Sequence, residues 1–93
     1  MTDPHLAALL SVAEAGKKDK EGFQALPEAR HVTLYAAYGG ASLTVSRVSA
    51  LKRDGELLLA RTVKGETYVL ALSDLYAGAV ETPVTGTRKA GFV

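Results

Sequence analysis

The chain has 93 residues, 47% of them hydrophobic, with eleven basic and ten acidic side chains for a net charge of +1 and no cysteine. That length is one domain with a small core, the composition is globular rather than disordered, and the lack of cysteine excludes disulfides and thiolate chemistry. A near-neutral charge argues against holding nucleic acid by bulk electrostatics. No apolar run approaches the roughly 20 residues that span a bilayer, and Asp3 and Glu14 stand where a signal peptide carries a basic start and an apolar block, so the expectation is a cytoplasmic, bacterial protein with no membrane contact.

Residues 3–15 predict a helix. Asp3 is a capping residue type, and Pro4 suits a first turn because its missing N–H would have no partner there. Leu6, Leu9, Leu10 and Ala13 recur at helical spacing and make one apolar face. Gly16 is the expected stop. The helix, taken as residues 1–16, is expected to cover the open end of a strand unit; a partner-binding helix is the alternative. Residues 17–30 read as a charged linker. Its KKDKEG run looks solvated and without a partner of its own, Phe23 and Leu26 can anchor the next segment, and Pro27–Arg30 suggests one helical turn.

From His31 to Glu81 the pattern is of short strands. In HVTLYAAY, Val32, Leu34, Ala36 and Tyr38 fall on one face and Thr33, Tyr35 and Ala37 on the other. Gly39-Gly40 turns the chain, since glycine accepts positive φ. The next strand, ASLTVSRVSAL, does not keep one alternation: Leu43 and Val45 share a face, and Val48 and Ala50 are out of phase with them. A slip near Ser46-Arg47 is what a bulge or sharp bend produces. Asp54-Gly55 signals a hairpin. Leu57, Leu58 and Leu59 are apolar on both faces, which predicts a central strand. After Lys64-Gly65, Tyr68, Leu70 and Leu72 share a face, with Val69 and Ala71 behind. Ser73–Tyr76 reads as a helical or 3₁₀ turn with Ser73 or Asp74 bonding local amides. A last short strand, Ala77–Glu81, precedes residues 83–93, which have no periodicity and read as a flexible tail.

A helix followed by five strands, the second long and bent, is the order of SH3-like small barrels. Within that group the chain resembles the Sm-like (Hfq-type) family. The likeness is carried by Val32-Thr33-Leu34-Tyr35 with Gly39 or Gly40, by the bent stretch Leu43–Leu51, by Glu56-Leu57-Leu58-Leu59 and by Ala79-Val80, and it covers about residues 5–82. It implies a mainly β fold, with an N-terminal helix and a five-stranded, strongly bent small barrel over residues 31–82. It also implies a homo-oligomeric ring built by strand pairing between subunits, and RNA as a ligand held on loops. The likeness does not extend to those loops: Lys52-Arg53-Asp54-Gly55 lacks the family's aspartate–aromatic–asparagine pattern, and Leu72-Ser73-Asp74-Leu75 has neither its Arg-Gly nor its Lys-His.

No constellation specifies chemistry. His5 and His31 are far apart, and nothing brings a base to a nucleophile with an orienting acid. Ser42, Ser46 and Ser49 are spaced like solvent-facing strand serines. No ligand spacing for zinc or calcium exists, and no glycine-rich loop opens a helix to cradle phosphate. An enzyme, a metal and a cofactor are therefore not expected. The candidate contact residues for nucleic acid or a partner are Arg47, Lys52, Arg53, Arg61 and Lys64, interleaved with Tyr35 and Tyr38. Together they can form a basic rim with stacking rings; alternatively they are solvated charges paired with Asp54, Glu56 and Glu66. Arg47 stands out because a bulge re-aims a side chain toward a site or a subunit contact. The leading functional expectation is a non-enzymatic binding or scaffolding module that self-associates, or adds a partner protein's strand, through a sheet edge. The alternative is an Sm-like protein that binds single-stranded RNA, and a sensor of a small anionic nucleotide ranks last.

Overall fold

A computed structural model describes residues 1–82; the tail read as flexible lies outside the described residues. The elements are a helix α1 (Asp3–Ala13), strands β1 (Gln24–Ala25), β2 (His31–Tyr38), β3 (Ala41–Asp54), β4 (Leu57–Thr62) and β5 (Thr67–Ala71), a 3₁₀ turn (Leu72–Asp74) and β6 (Leu75–Glu81). The fold is thus mainly β with one N-terminal helix. The strands form a single antiparallel sheet in the order β5-β4-β3-β2-β6, with β1 added against β3.

The sheet turns on β3. Its first half pairs with β2 and its second half with β4 on one side and β1 on the other. Between the pairs Val32↔Val48 and Leu34↔Val45, β3 advances three residues while β2 advances two. The extra residue sits at Ser46-Arg47, where the alternation of the sequence slips, and Arg47 takes a left-handed backbone at φ 58°. A second extra residue, Ser49, lies between Val48↔Thr62 and Ala50↔Arg61. Each bulge leaves backbone groups that need partners, and both are supplied: Arg47 O accepts from Val63 N at 3.0 Å, and Ser49 O from Leu26 N at 2.9 Å. The Ser49 hydroxyl donates to Arg61 O at 3.3 Å. A bulge increases local bend and twist, so two in succession fold one strand over a common core.

That core joins Val32, Leu34, Val45, Val48, Leu51, Leu58, Leu70, Leu72 and Leu75 to Leu6, Leu9 and Ala13 of the helix. The expected cover by the leucine face of α1 is therefore present. It packs tightly at Gly78 of β6, where a Cβ would lie 2.8 Å from Leu9 Cδ2. Glycine is required there by space, since its φ is not in the left-handed range.

Several local expectations are corrected. Thr2, not Asp3, caps the helix: its Oγ1 accepts from His5 N at 3.2 Å. Asp3 instead lies in the first turn and pairs with Arg53. The helix stops at Glu14, whose φ of 56° is left-handed, two residues before Gly16. Gly16 N donates to Ala25 O at 2.9 Å, so that glycine serves the approach of β1. Tyr38 does not share the buried face of Val32, Leu34 and Ala36 but is 78% exposed, whereas Thr33, on the opposite face, is buried. The 3₁₀ turn begins at Leu72, one residue early, and has no side-chain cap from Ser73 or Asp74.

The Leu9–Gly78 contact makes a test by compensation. Leu9→Ala is expected to destabilise the fold by about 2–5 kcal/mol through the cavity it leaves, and Gly78→Ala by about 1–3 kcal/mol through overpacking. In the double variant the new methyl enters the vacated space, so urea unfolding should give a combined loss smaller than the sum of the two.

Candidate functional site

The basic residues, read either as a rim or as solvated charges, are distributed over three places. The first is the stretch read as a solvated linker, which is folded onto β3 and β4. Asp19 Oδ1 accepts from Glu21 N at 2.8 Å and from Phe23 N at 2.9 Å, and Lys18 bridges to Gln24. This loop delivers Phe23 to a buried position. The Arg61 guanidinium lies 4.0 Å from the Phe23 ring centre and Lys52 Nζ 5.9 Å from it. Arg61 also pairs with Glu21 at 3.2 Å. Lys52 and Arg61 therefore hold the N-terminal segment to the sheet by cation–π contact. Arg53 does the same at the second place, pairing with Asp3 of α1 at 2.5 Å and donating from Nε to Gly55 O at 3.0 Å. Among the described residues, the acidic partners of Arg53 and Arg61 are Asp3 and Glu21, rather than the expected Asp54, Glu56 and Glu66.

The third place is a polar cleft of about 200 Å³ between the first half of β3 and the β4–β5 turn. Arg47 and Lys64 line it together with Thr44, Ser46, Thr62, Glu66 and Tyr68. Of the predicted set, only Arg47 and Lys64 are thus brought together. Thr62 is buried, and its hydroxyl accepts from Glu66 N at 3.3 Å, which fixes the turn. The sequence signal for this cleft was the phase slip at Arg47; that Glu66 and Tyr68 face the same space depends on tertiary folding.

The tyrosines do not join this cleft. Tyr35 stacks at a tilt on Tyr76, with ring centres 6.2 Å apart. Tyr76 is the extra residue of a third bulge, between Tyr35↔Ala77 and Ala36↔Leu75. Tyr38, on the β2–β3 hairpin, lines an apolar groove of about 270 Å³ with Leu43 and with Val69, Leu70 and Ala71 of β5. Sequence reading missed this groove, although exposed Val69 stands opposite buried Leu70; Leu43 shares the face of buried Val45 and is exposed towards the β2–β3 hairpin end. The groove runs beside β5, which among the described residues is paired only with β4; at the other end of the sheet, β6 is paired among them only with β2.

Among the described residues no three His, Asp or Glu side chains cluster to hold a metal ion, and no helix is long and apolar enough to cross a membrane. Compared with known proteins, the chain matches no family model, no curated protein and no solved structure.

The Asp19 loop carries a pH prediction. The Phe23 amide, helped by the amides of Glu21 and Gly22 and by the Arg61 charge, holds the Asp19 carboxyl below its usual range against the opposing effect of desolvation. A lowered folded-state pKa stabilises above the unfolded-state value and loses that contribution as pH falls through the folded one. Asp19→Ala should therefore lower the urea midpoint at pH 7, and the difference from the unaltered chain should shrink once the pH drops below the carboxylate range.

Proposed function

We propose that this chain is a non-enzymatic binding module that assembles with copies of itself through its sheet edges. The observation that carries the reading is that, among the described residues, the outer edges of β5 and β6 are unpaired, together with the apolar groove of Tyr38, Leu43 and Val69 beside β5. An edge strand presents a row of free N–H and C=O groups, a template for another strand. Proteins that stay monomeric blunt such edges with lysine, proline or charge. Thr67–Ala71 carries none of these, and Val69 is 61% exposed on it. Main-chain bonds supply affinity in strand addition, and pockets for alternate side chains supply specificity; β5 offers both. In this reading β6 of one copy lies along β5 of the next. That contact is head-to-tail, which closes into a ring when the rotation permits.

The bent five-strand order after a helix supports placing the fold among SH3-like small barrels, and the strands that resemble the Sm-like family are the ones that carry the bend. RNA is not the preferred ligand. The basic side chains lie at three separate places, and Lys52, Arg53 and Arg61 are engaged within the chain.

Light scattering behind a sizing column tests the assembly. The expected mass is a multiple of 9.8 kDa, insensitive to salt because the contact is main-chain and apolar. Val69→Pro and Val80→Pro should give monomers. Val69→Lys, at an exposed position that the fold tolerates, should do the same with unchanged circular dichroism. A monomeric unaltered chain, or a Val69→Lys variant that still assembles, refutes the edge contact. With four tyrosines and no tryptophan, an absorbance ratio raised at 260 nm and lowered again by salt would place nucleic acid ahead of self-assembly.

A further inference from the structure

The polar cleft plays no part in edge pairing, and its composition asks for a ligand. Arg47 is the first reason. In the middle of a strand it holds a left-handed backbone at φ 58°, a conformation in which glycine is at ease and a long side chain is not. The other two non-glycine residues with positive φ, Glu14 and Ala29, lie at a helix end and in a turn, where such backbone is common. A glycine at residue 47 would form the same bulge with less strain, so the arginine side chain is what the position adds.

The second reason is charge. Arg53 and Arg61 are paired with carboxylates, while Arg47 and Lys64 have no ion pair among the described residues. Both line the one cleft, with the exposed hydroxyl-bearing residues Thr44 and Ser46 beside them. Arginine and lysine with flanking hydroxyls are a donor-rich set facing one carboxylate, Glu66, and two cations against one anion leave a net positive lining that complements an oxyanion. The third reason is size. About 200 Å³ is smaller than the roughly 300–1,000 Å³ of sites that enclose a drug-sized ligand. The space takes one anionic group, not a polyanionic strand. Glu66 on the same wall lowers the local potential and limits the charge the site accepts.

We propose that this cleft binds the phosphate group of a small phosphate monoester, held by Arg47 and Lys64. The phosphate enters the cleft and the rest of the ligand lies outside it, past Tyr68.

Amide NMR of the full chain in phosphate-free, low-salt buffer tests this. The titrants are inorganic phosphate, adenosine 5′-monophosphate, a single-stranded RNA 12-mer, and sodium chloride of matched ionic strength. Saturable shifts of the Ser46, Arg47, Lys64 and Glu66 amides are expected with phosphate and with the mononucleotide, and not with chloride. Tighter binding of the mononucleotide than of phosphate assigns part of the ligand beyond the phosphate; equal binding assigns the phosphate alone, and either supports the site. Arg47→Gly should weaken binding by about tenfold or more, as expected for loss of a charge-assisted pair, while the melting temperature rises by a few degrees. Ala29→Gly should raise the melting temperature without changing the titration, and Glu66→Gln should strengthen binding several-fold. Shifts reproduced by chloride, binding kept in Arg47→Gly, or a melting temperature lowered in that variant would each overturn the proposal. So would RNA binding that far exceeds the mononucleotide and spreads to the Lys52 and Arg53 amides, since that describes a strand-binding face.

Discussion

The bend of β3 is the constraint on which the rest of the molecule depends. One 14-residue strand serves two halves of the sheet, and it can do so only because extra residues at Ser46-Arg47 and at Ser49 break its register against its neighbours. A regular strand of that length would keep alternate side chains on one face throughout. Val45 and Val48 could not then both be buried, yet they are 2% and 0% exposed. The slip lets both halves of the strand point their apolar side chains into one core, and the helix then closes that core through Leu6, Leu9 and Ala13. The bulges also determine what lies outside. Arg47 is turned into a cleft with Lys64, and Ser49 offers the carbonyl that receives the segment leading out of β1.

Much of this was legible because it is written in local pattern. The strand at residues 31–38 (though not the facing of Thr33 and Tyr38), the turns at Gly39-Gly40 and Asp54-Gly55, and the phase slip at Arg47 each depend on a few adjacent residues, and the observed strands agree with them. What was not legible depends on choice between equivalent neighbours or on contacts across the chain. Thr2 and Asp3 are both capping residue types, and nothing local decides that Thr2 takes the cap while Asp3 is drawn to Arg53. The KKDKEG run reads as solvated because its charges alternate, yet one carboxylate, Asp19, gathers two backbone amides and makes an ordered loop of it. The use of Lys52 and Arg61 as a clamp on Phe23 is invisible without the fold, since Phe23 lies far in sequence from the β3–β4 hairpin that carries the other two. The basic rim was an inference from composition, and three-dimensional placement divides it by function: most of its members hold the N-terminal segment, and Arg47 and Lys64 remain.

The distribution of charge over the sheet also bears on which edge is open to a partner. The β3–β4 hairpin end carries Lys52, Arg53, Asp54 and Glu56 around its turn, and Arg53 is tied there to the helix. Solvated charge of both signs makes a poor surface for adding another strand. β5 differs: its five residues are uncharged, and its exposed valine adjoins an apolar groove. β6 is uncharged up to Glu81 and has the exposed ring of Tyr76. Among the described residues, the sheet has a charged hairpin end and two outer strands without a second partner, and it is asymmetric in what it invites. A small domain of this kind gains most from burial between copies, because its own core removes a smaller fraction of apolar surface from water than that of a larger domain. The open edges and the modest core thus point the same way: the contact that would satisfy the free backbone groups of β5 and β6 would also extend the core that the chain cannot enlarge by itself.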